Sequence, residues 1–205
     1  VYAYNRVPTY PGCTYIWKKG YWTDFMKLER GSETHVLVLL DDVRPDRNFS
    51  VSRMVQTMRR YKFDMVSSAF HPFESFVSPT LQPSEKCLAR RVAFVDALLL
   101  VFTRKAWLCW QSEINTSLNH LGWGYAMSFS RRCGTTAGVV DTEVATHAPP
   151  TSTDRRSYNT NDALTQLRTW LASTGDPLKP GHTRGQVQQR FLNTRRSLQC
   201  WPRSS

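Results

Sequence analysis

The sequence lacks the features that mark several specialised classes of protein. No apolar run approaches the roughly 20 residues that a helix needs to cross a bilayer, and the N-terminus lacks the charged-then-apolar order of a signal peptide. We therefore expect no membrane segment in this chain. The cysteines contain no C-x-x-C pair, which argues against a structural zinc site and a disulfide-dense scaffold. The spacing of the cysteines is equally consistent with free thiols and with one or two disulfides. The five cysteines are Cys13, Cys87, Cys109, Cys133 and Cys200.

Acidic residues are scarce beside basic ones. The chain has 27 Lys and Arg against 16 Asp and Glu, a formal net charge of +11, and residues 148–205 carry nine of these cations against three Asp. Such a surplus favours an anionic partner, such as nucleic acid, an acidic membrane surface or a phosphorylated substrate. Because no recognised nucleic-acid motif accompanies the charge, no specific nucleic acid is expected as a partner.

The composition predicts one packed domain. The 205 residues are 40% hydrophobic and 12% aromatic, enough for one substantial core. We expect a domain over residues 1–150, a C-terminal helix packed on it over residues 151–178, and a basic, flexible tail over residues 179–205. N-x-S acceptor sequences occur at Asn48 and Asn115, but two among seven Asn is near chance and indicates no secretory history by itself.

Apolar runs and helical periodicity alternate along the chain. The run His35 to Leu40 predicts a central parallel strand buried on both faces, and Val92 to Phe102 predicts a second long buried strand. Further elements are predicted as follows: a helix capped by Asn48 or Ser50, a strand over residues 63–70, a helix capped by Thr103 and ended by Gly122, an aromatic loop over residues 122–129, a short strand over residues 138–144, and a helix over residues 161–173. This order predicts an α/β domain with a mostly parallel sheet, whose ligands bind beyond the carboxyl ends of the strands.

Asp41 and Asp42 follow the first buried run directly. Two adjacent carboxylates at a strand end repel each other, so they need a cation or several hydrogen-bond donors. Mg²⁺ or Mn²⁺ would satisfy them and would also bridge to the phosphates of a nucleotide diphosphate. In the alternative interpretation they only begin a turn, or pair with Arg44 and Arg47.

Other polar residues could join such a site. His147 follows a strand and becomes a metal ligand if the fold brings it to the aspartates, although a surface histidine is the commoner case. Asp96 interrupts an apolar run, where an unpaired charge is costly. Asp141 and Glu143 alternate on their strand and are expected on its solvated face, and Trp123 is either a stacking platform or a core residue.

Three stretches together resemble a known group of proteins. FVDALLLVFTRKAWLCWQSEI, GWGYAMSFSRRCG and GVVDTEVATHAPPT, within a region from about Lys18 to Thr151, resemble the plant and algal family labelled lysine ketoglutarate reductase trans-splicing related. This family is a domain of unknown function with glycosyltransferase-like (GT-A) character. The resemblance implies a GT-A-like three-layer sandwich and a protein of the Golgi lumen or another secretory compartment. Its opening strand and loop would be short or absent in this chain.

The resemblance also implies a set of site residues. Asp41 and Asp42 correspond to the family's D-x-D-type element, which holds a metal ion and a sugar-nucleotide diphosphate, and His147 corresponds to a metal-ligating histidine. Trp123 and Gly124 match its G-W-G turn and are expected to contact substrate. Asp96 falls where the family carries an acidic residue, and is the candidate general base or acceptor contact.

The resemblance therefore implies a glycosyltransferase that moves a sugar from a nucleotide diphosphate sugar to a glycan or other hydroxyl acceptor. Two departures leave an alternative open: Leu40–Val43 reads LDDV rather than a complete D-x-D, and Ala126 stands where the family has an acidic residue. The alternative is a degenerate, non-catalytic relative, or a basic module that binds an anionic polymer.

Overall fold

The computed structural model describes residues 2–3, 16–17, 20–27, 32–72, 78–93, 95–148, 160–175 and 199–203. Within these residues the chain forms the following strands: β1 (Tyr2–Ala3), β2 (Ile16–Trp17), β3 (His35–Leu39), β4 (Val43–Pro45), β5 (Met65–Phe70), β6 (Cys87–Val92), β7 (Leu99–Thr103), β8 (Ala137–His147) and β9 (Cys200–Pro202). The described helices are α1 (Trp22–Phe25), α2 (Val51–Tyr61), α3 (Arg104–Glu113), α4 (Tyr125–Arg132) and α5 (Thr160–Ser173), with a 3₁₀ turn at Pro79–Leu81.

A seven-stranded mixed sheet forms the centre of the described part of the chain. Its order is β3–β7–β5–β8–β6–β9, and β4 pairs with the C-terminal end of β8. Strands β5 and β8 run parallel, whereas β7 is antiparallel to β3 and β5, and β6 is antiparallel to β8 and β9. The fold is therefore mixed α/β with a mostly antiparallel sheet, and the expectation of a mostly parallel sheet is wrong. Apolar runs show which segments are strands, but tertiary pairing sets their direction. This topology does not confirm a GT-A-like three-layer sandwich.

Strand β3 lies at the edge of this sheet. It pairs with β7, and the side chains of Leu37 and Leu39 are 42% and 45% exposed. Val36 and Val38 alternate with them and pack against the core. The prediction of a central parallel strand buried on both faces is therefore wrong, because a continuous apolar run does not reveal whether a second layer covers the strand.

The run from Val92 to Phe102 is two strands rather than one. Strand β6 ends at Val92 and β7 begins at Leu99, so Asp96 lies between the two strands rather than within one. The backbone N–H of Leu40 donates to the carbonyl of Leu98 at 3.0 Å, which places the connection between β6 and β7 beside the end of β3. Alternation and apolar content do not mark such a break when the turn itself is apolar.

Several local predictions are confirmed. Ser50 caps α2 by accepting a hydrogen bond from Arg53 N, and Thr103 caps α3 by accepting one from Ala106 N. Strand β5 and helix α5 also occur where periodicity predicted them. Helix α3 ends at Glu113, well before the predicted stop at Gly122.

The predicted aromatic loop contains helix α4 and part of the core. The rings of Phe102 and Trp110 lie 4.5 Å apart between centroids, and Phe129 of α4 lies 5.4 Å from Trp110. The contacts join β7, α3 and α4 through large apolar surfaces. The prediction of a turn or loop holds for residues 122–124 and is wrong from Tyr125 onward, where the helix begins.

Two disulfides join four of the five cysteines. Cys87 on β6 is bonded to Cys200 on β9, and Cys109 on α3 is bonded to Cys133 after α4. Residues 200–202 form β9, which pairs with β6 in the sheet, and this differs from the expected loose attachment of the tail. Residues 179–198 and 204–205 of that tail, and Cys13, lie outside the described residues.

Candidate functional site

Pairing between β4 and β8 brings residues from distant parts of the sequence together. Val43 lies opposite His147, and Pro45 lies opposite Ala145. The backbone N–H of Val43 donates to the carbonyl of Leu40 at 3.2 Å, so Asp41 and Asp42 occupy the centre of a tight turn between β3 and β4. The N–H of Ala148 then donates to the carbonyl of Asp42 at 2.9 Å, which closes the end of the ladder.

The side chains of Asp42 and His147 meet at this turn. His147 Nε2 lies 3.0 Å from Asp42 Oδ2, across 105 positions of sequence. The imidazole is 15% exposed and the carboxylate 48% exposed, so the pair faces solvent on one side. The expectation that an early carboxylate meets a late imidazole is confirmed for Asp42, and Asp41 lies exposed in the same turn.

Asp96 lies close enough to His147 for their charges to interact. Although the residue as a whole is half-buried, burial of its carboxyl group raises its pKa above the ordinary value of 3.8. A hydrogen bond from the backbone N–H of Ala97, at 2.8 Å from Asp96 Oδ1, and the neighbouring charge of His147 both oppose that rise. Protonated Asp96 is therefore favoured over a wider pH range than an exposed aspartate would allow.

A second histidine–aspartate pair lies at the other end of β4. His71 Nε2 is 3.1 Å from Asp46 Oδ1 and 3.0 Å from Oδ2, and both side chains are 40% exposed. Their backbones are fixed to β8, because Asp46 N donates to Val144 O and His71 N donates to Ala145 O. Sequence analysis did not single out this pair, although His71 follows a predicted strand just as Asp41 does.

Two ion pairs, each with a buried carboxylate, support β8 before it reaches the site. The parallel register of β5 and β8 shifts so that Ser68 lies opposite Val140 and Ala69 opposite Val144, which leaves residues 141–143 outside the ladder. Such a bulge redirects the strand beyond it. Asp141 and Glu143 lie in this segment and are 0% exposed, so the prediction that they occupy a solvated face is wrong.

Each of these buried carboxylates has an arginine partner. Arg90 Nε donates to Asp141 Oδ2 at 2.9 Å and its Nη2 donates to Oδ1 at 2.8 Å. Arg53 Nε donates to Glu143 Oε1 at 2.5 Å, and the N–H of Ser50 donates to Oε2 at 2.6 Å. Because a buried carboxylate is costly without partners, these contacts explain how the bulge is tolerated.

This chain is similar to a family of known proteins. Residues 43–174, more than half of the chain, match the model of a family described as "Protein of unknown function (DUF707)". The chain belongs to the DUF707 family. The match confirms the expected domain of unknown function, but it does not confirm the label of a lysine ketoglutarate reductase trans-splicing related family.

Other comparisons add little to the DUF707 assignment. No curated protein matches this chain. One similar solved structure is the "Crystal Structure of A197 from STIV", with 12% sequence identity over 67% of this chain and 72% of that one. Its TM-score of 0.42 is too low for the likeness to support a conclusion about fold or function.

Trp123 and Gly124 have structural neighbours in this DUF707 domain. Gly124 is buried at φ +91°, and a Cβ built there would lie 2.2 Å from Leu167 Cδ1 on α5. Glycine is therefore required both by the backbone conformation and by the close packing. Trp123 is half-buried against the core, and its carbonyl accepts a hydrogen bond from Asn119 at 2.9 Å. A role for either residue in binding substrate stays a prediction.

The described residues contain neither a helix that could span a membrane nor a cluster of three or more metal-ligating side chains. None of their helices has the length and apolar character that a membrane span requires. Within the same part of the chain, no group of three or more His, Cys, Asp or Glu side chains is arranged to hold a metal ion. Asp42 and His147 are thus the two members of the expected metal set that the fold joins directly.

Proposed function

We propose that this protein is a glycosyltransferase that uses a nucleotide diphosphate sugar as donor and a hydroxyl group of a glycan or similar molecule as acceptor. The observation that supports the proposal is the contact of Asp42 Oδ2 with His147 Nε2 at 3.0 Å. The pair lies between the end of β8 and the turn that joins β3 to β4, and it is partly open to solvent.

The donor atoms of this pair suit a divalent cation in part. A carboxylate oxygen and an imidazole nitrogen are both acceptable to Mn²⁺, and an ion held by few protein ligands takes further oxygens from water and substrate phosphates. Asp42 and His147 would be the protein ligands, and the carboxylate of Asp41, exposed in the same turn, would add negative charge near the ion without being a third ligand. When bound, such an ion would neutralise the leaving diphosphate.

The chain's own residues would position His147 and accept the proton of the acceptor hydroxyl. The bulge at residues 141–143 and its ion pairs fix the direction of β8, and with it the position of His147. Asp96 is the candidate base, because a carboxyl group whose burial raises its pKa accepts a proton more readily from an acceptor hydroxyl. Its nearness to His147 would keep the acceptor beside the donor diphosphate.

Thermal unfolding with added Mn²⁺ and uridine or guanosine diphosphate tests this proposal. A ligand at 100 times its dissociation constant stabilises the fold by about 2.7 kcal/mol, which in a chain of this size raises the midpoint by roughly 5–11 °C. The rise should require both the metal ion and the nucleotide.

Variants assign the effect to the site. Asp42→Asn and His147→Gln should each abolish the metal-dependent rise, while the apo midpoint changes little because both side chains are partly exposed. Asp46→Asn is the matched control, since Asp46 makes the same kind of pair at the other end of β4. An equal response in Asp42→Asn and the parent would refute the metal role, and salt-sensitive binding of a polyanion without any response to nucleotide would favour the basic module.

A further inference from the structure

One of the two N-x-S acceptor sequences lies on a surface suited to modification. Asn115 follows helix α3, is exposed, and is succeeded by Thr116 and exposed Ser117. Asparagine in the sequence N-x-S/T, where x is not proline, accepts an N-linked glycan in secretory compartments. Two such sequences among seven Asn are near the number expected by chance, so their structural surroundings distinguish a modified site from an unmodified one.

The cysteines indicate the redox environment in which such a modification occurs. Cys87–Cys200 and Cys109–Cys133 are disulfides, so four of the five cysteines in the chain are paired. Disulfides form and persist in the oxidising compartments of the secretory route and are rare in reducing ones. N-glycosylation takes place in that same route. The spacing of the cysteines does not predict these two bonds. The bonds are therefore a second observation beside the acceptor sequence.

The backbone of Asn115 is anchored while its side chain faces outward. Its N–H donates to the hydroxyl oxygen of Tyr125 at 2.9 Å, and that hydroxyl donates to the carbonyl of Asn115 at 2.9 Å. Burial raises the pKa of Tyr125 to about 12, so its hydroxyl remains a donor at physiological pH. Asn115 Oδ1 accepts a hydrogen bond from Ser117 N at 3.1 Å, whereas a glycan would be attached to the side-chain nitrogen.

Asn48 has less suitable surroundings. The hydroxyl of Ser50, which completes its acceptor sequence, caps helix α2, and the Ser50 N–H is bound to buried Glu143. Asn48 also lies two residues after Asp46, so a glycan there would crowd the end of β4 near the candidate site. Asn115, in the connection between α3 and α4, has neither constraint.

We propose that Asn115 carries an N-linked glycan. The group is transferred from a lipid-linked oligosaccharide diphosphate by a separate enzyme. A bond forms between Asn115 Nδ2 and the anomeric carbon of the sugar, the bond from that carbon to the diphosphate oxygen breaks, the lipid diphosphate leaves, and one amide proton passes to a base. This inference is independent of the proposed transferase activity.

Two measurements test the assignment. In protein isolated from its own cells, peptide N-glycosidase in ¹⁸O-labelled water should convert Asn115 to labelled Asp, which mass spectrometry locates in the peptide. A peptide with unmodified Asn115 in that protein would overturn the proposal.

The second measurement uses the full chain translated behind a leader peptide into microsomes, where glycan addition is scored regardless of folding. In a chain that carries Asn48→Gln, an endoglycosidase-sensitive mobility shift should remain, and it should be lost when Asn115→Gln or Ser117→Ala is added. Ser117→Thr retains the acceptor sequence and should retain the shift, and Asn48→Gln should leave the Asn115 glycan in place. A shift that persists when Asn115→Gln is added to Asn48→Gln, or a protected Asn48→Gln chain with no shift, would contradict the assignment.

Discussion

Replacement of Arg90 by methionine should be severely destabilising. Its guanidinium is the charged partner of Asp141, and the side chains are 11% and 0% exposed respectively. Methionine keeps much of the aliphatic volume but leaves a buried carboxylate without its cation. Breaking one partner of a buried pair typically costs about 3–5 kcal/mol. At roughly 2–4 °C per kcal/mol for a chain of this size, the unfolding midpoint should fall by about 6–20 °C.

Urea unfolding of the oxidised protein, followed by circular dichroism, measures this loss. Arg91→Met is the matched control, because Arg91 neighbours Arg90 on β6 but is exposed, and it should change stability by no more than about 0.5 kcal/mol. Adding Asp141→Asn to Arg90→Met removes the unpaired charge and retains an oxygen for the N–H of Ser84, so much of the loss should be recovered. A loss below about 1 kcal/mol in Arg90→Met, or no recovery in the double variant, would refute the account of this pair.

Two further changes test other parts of the fold. Replacing Cys87 and Cys200 together by serine should cost roughly 1–1.5 kcal/mol more stability than replacing Cys109 and Cys133. The reason is that the first disulfide closes the longer loop, with sequence separations of 113 and 24 respectively. Chemical denaturation of both double variants measures the two losses, and equal losses would contradict the prediction. Burial raises the pKa of Asp96, so the folded state binds more protons than the unfolded state between pH 3.8 and the raised value, and stability falls as pH rises through that window. Asp96→Asn should remove this fall and be more stable than the parent above the window, as urea unfolding across pH would show; parallel pH profiles would count against the assignment.

The elements that sequence predicted well have local signals. Ser50 and Thr103 cap their helices through hydrogen bonds within three residues, and the apolar stripe of α5 repeats at helical spacing. The direction of the strands and the position of β3 at the sheet edge have no such signal. They depend on pairings between segments far apart in the chain, which an apolar run does not encode.

In the candidate site too, residues close together in the sequence provided a signal, whereas contacts between distant residues did not. A turn of two aspartates after an apolar run was visible in the sequence, and its contact with His147 followed only as a hypothesis about the fold. The alternation of Asp141 and Glu143 resembled a solvated face because their partners, Arg90 and Arg53, lie 51 and 90 residues away. Buried charge of this kind cannot be recognised without its partner.

The bulge on β8 precedes the Asp42–His147 pair along the strand. If the pair holds a cation and a diphosphate, the segment at residues 141–143 serves to aim the end of the strand, and the paired arginines make that geometry stable. The second pair, Asp46 and His71, lies at the other end of β4 and provides an internal comparison for every experiment on the first.

The most direct measurement is anomalous X-ray scattering at the manganese edge from crystals of the oxidised protein soaked with Mn²⁺ and uridine diphosphate. We predict one peak within bonding distance of Asp42 Oδ2 and His147 Nε2, with the diphosphate beside it. A well-ordered turn and imidazole without a peak between them, or a peak bound to Asp46 and His71 instead, would contradict the proposed site.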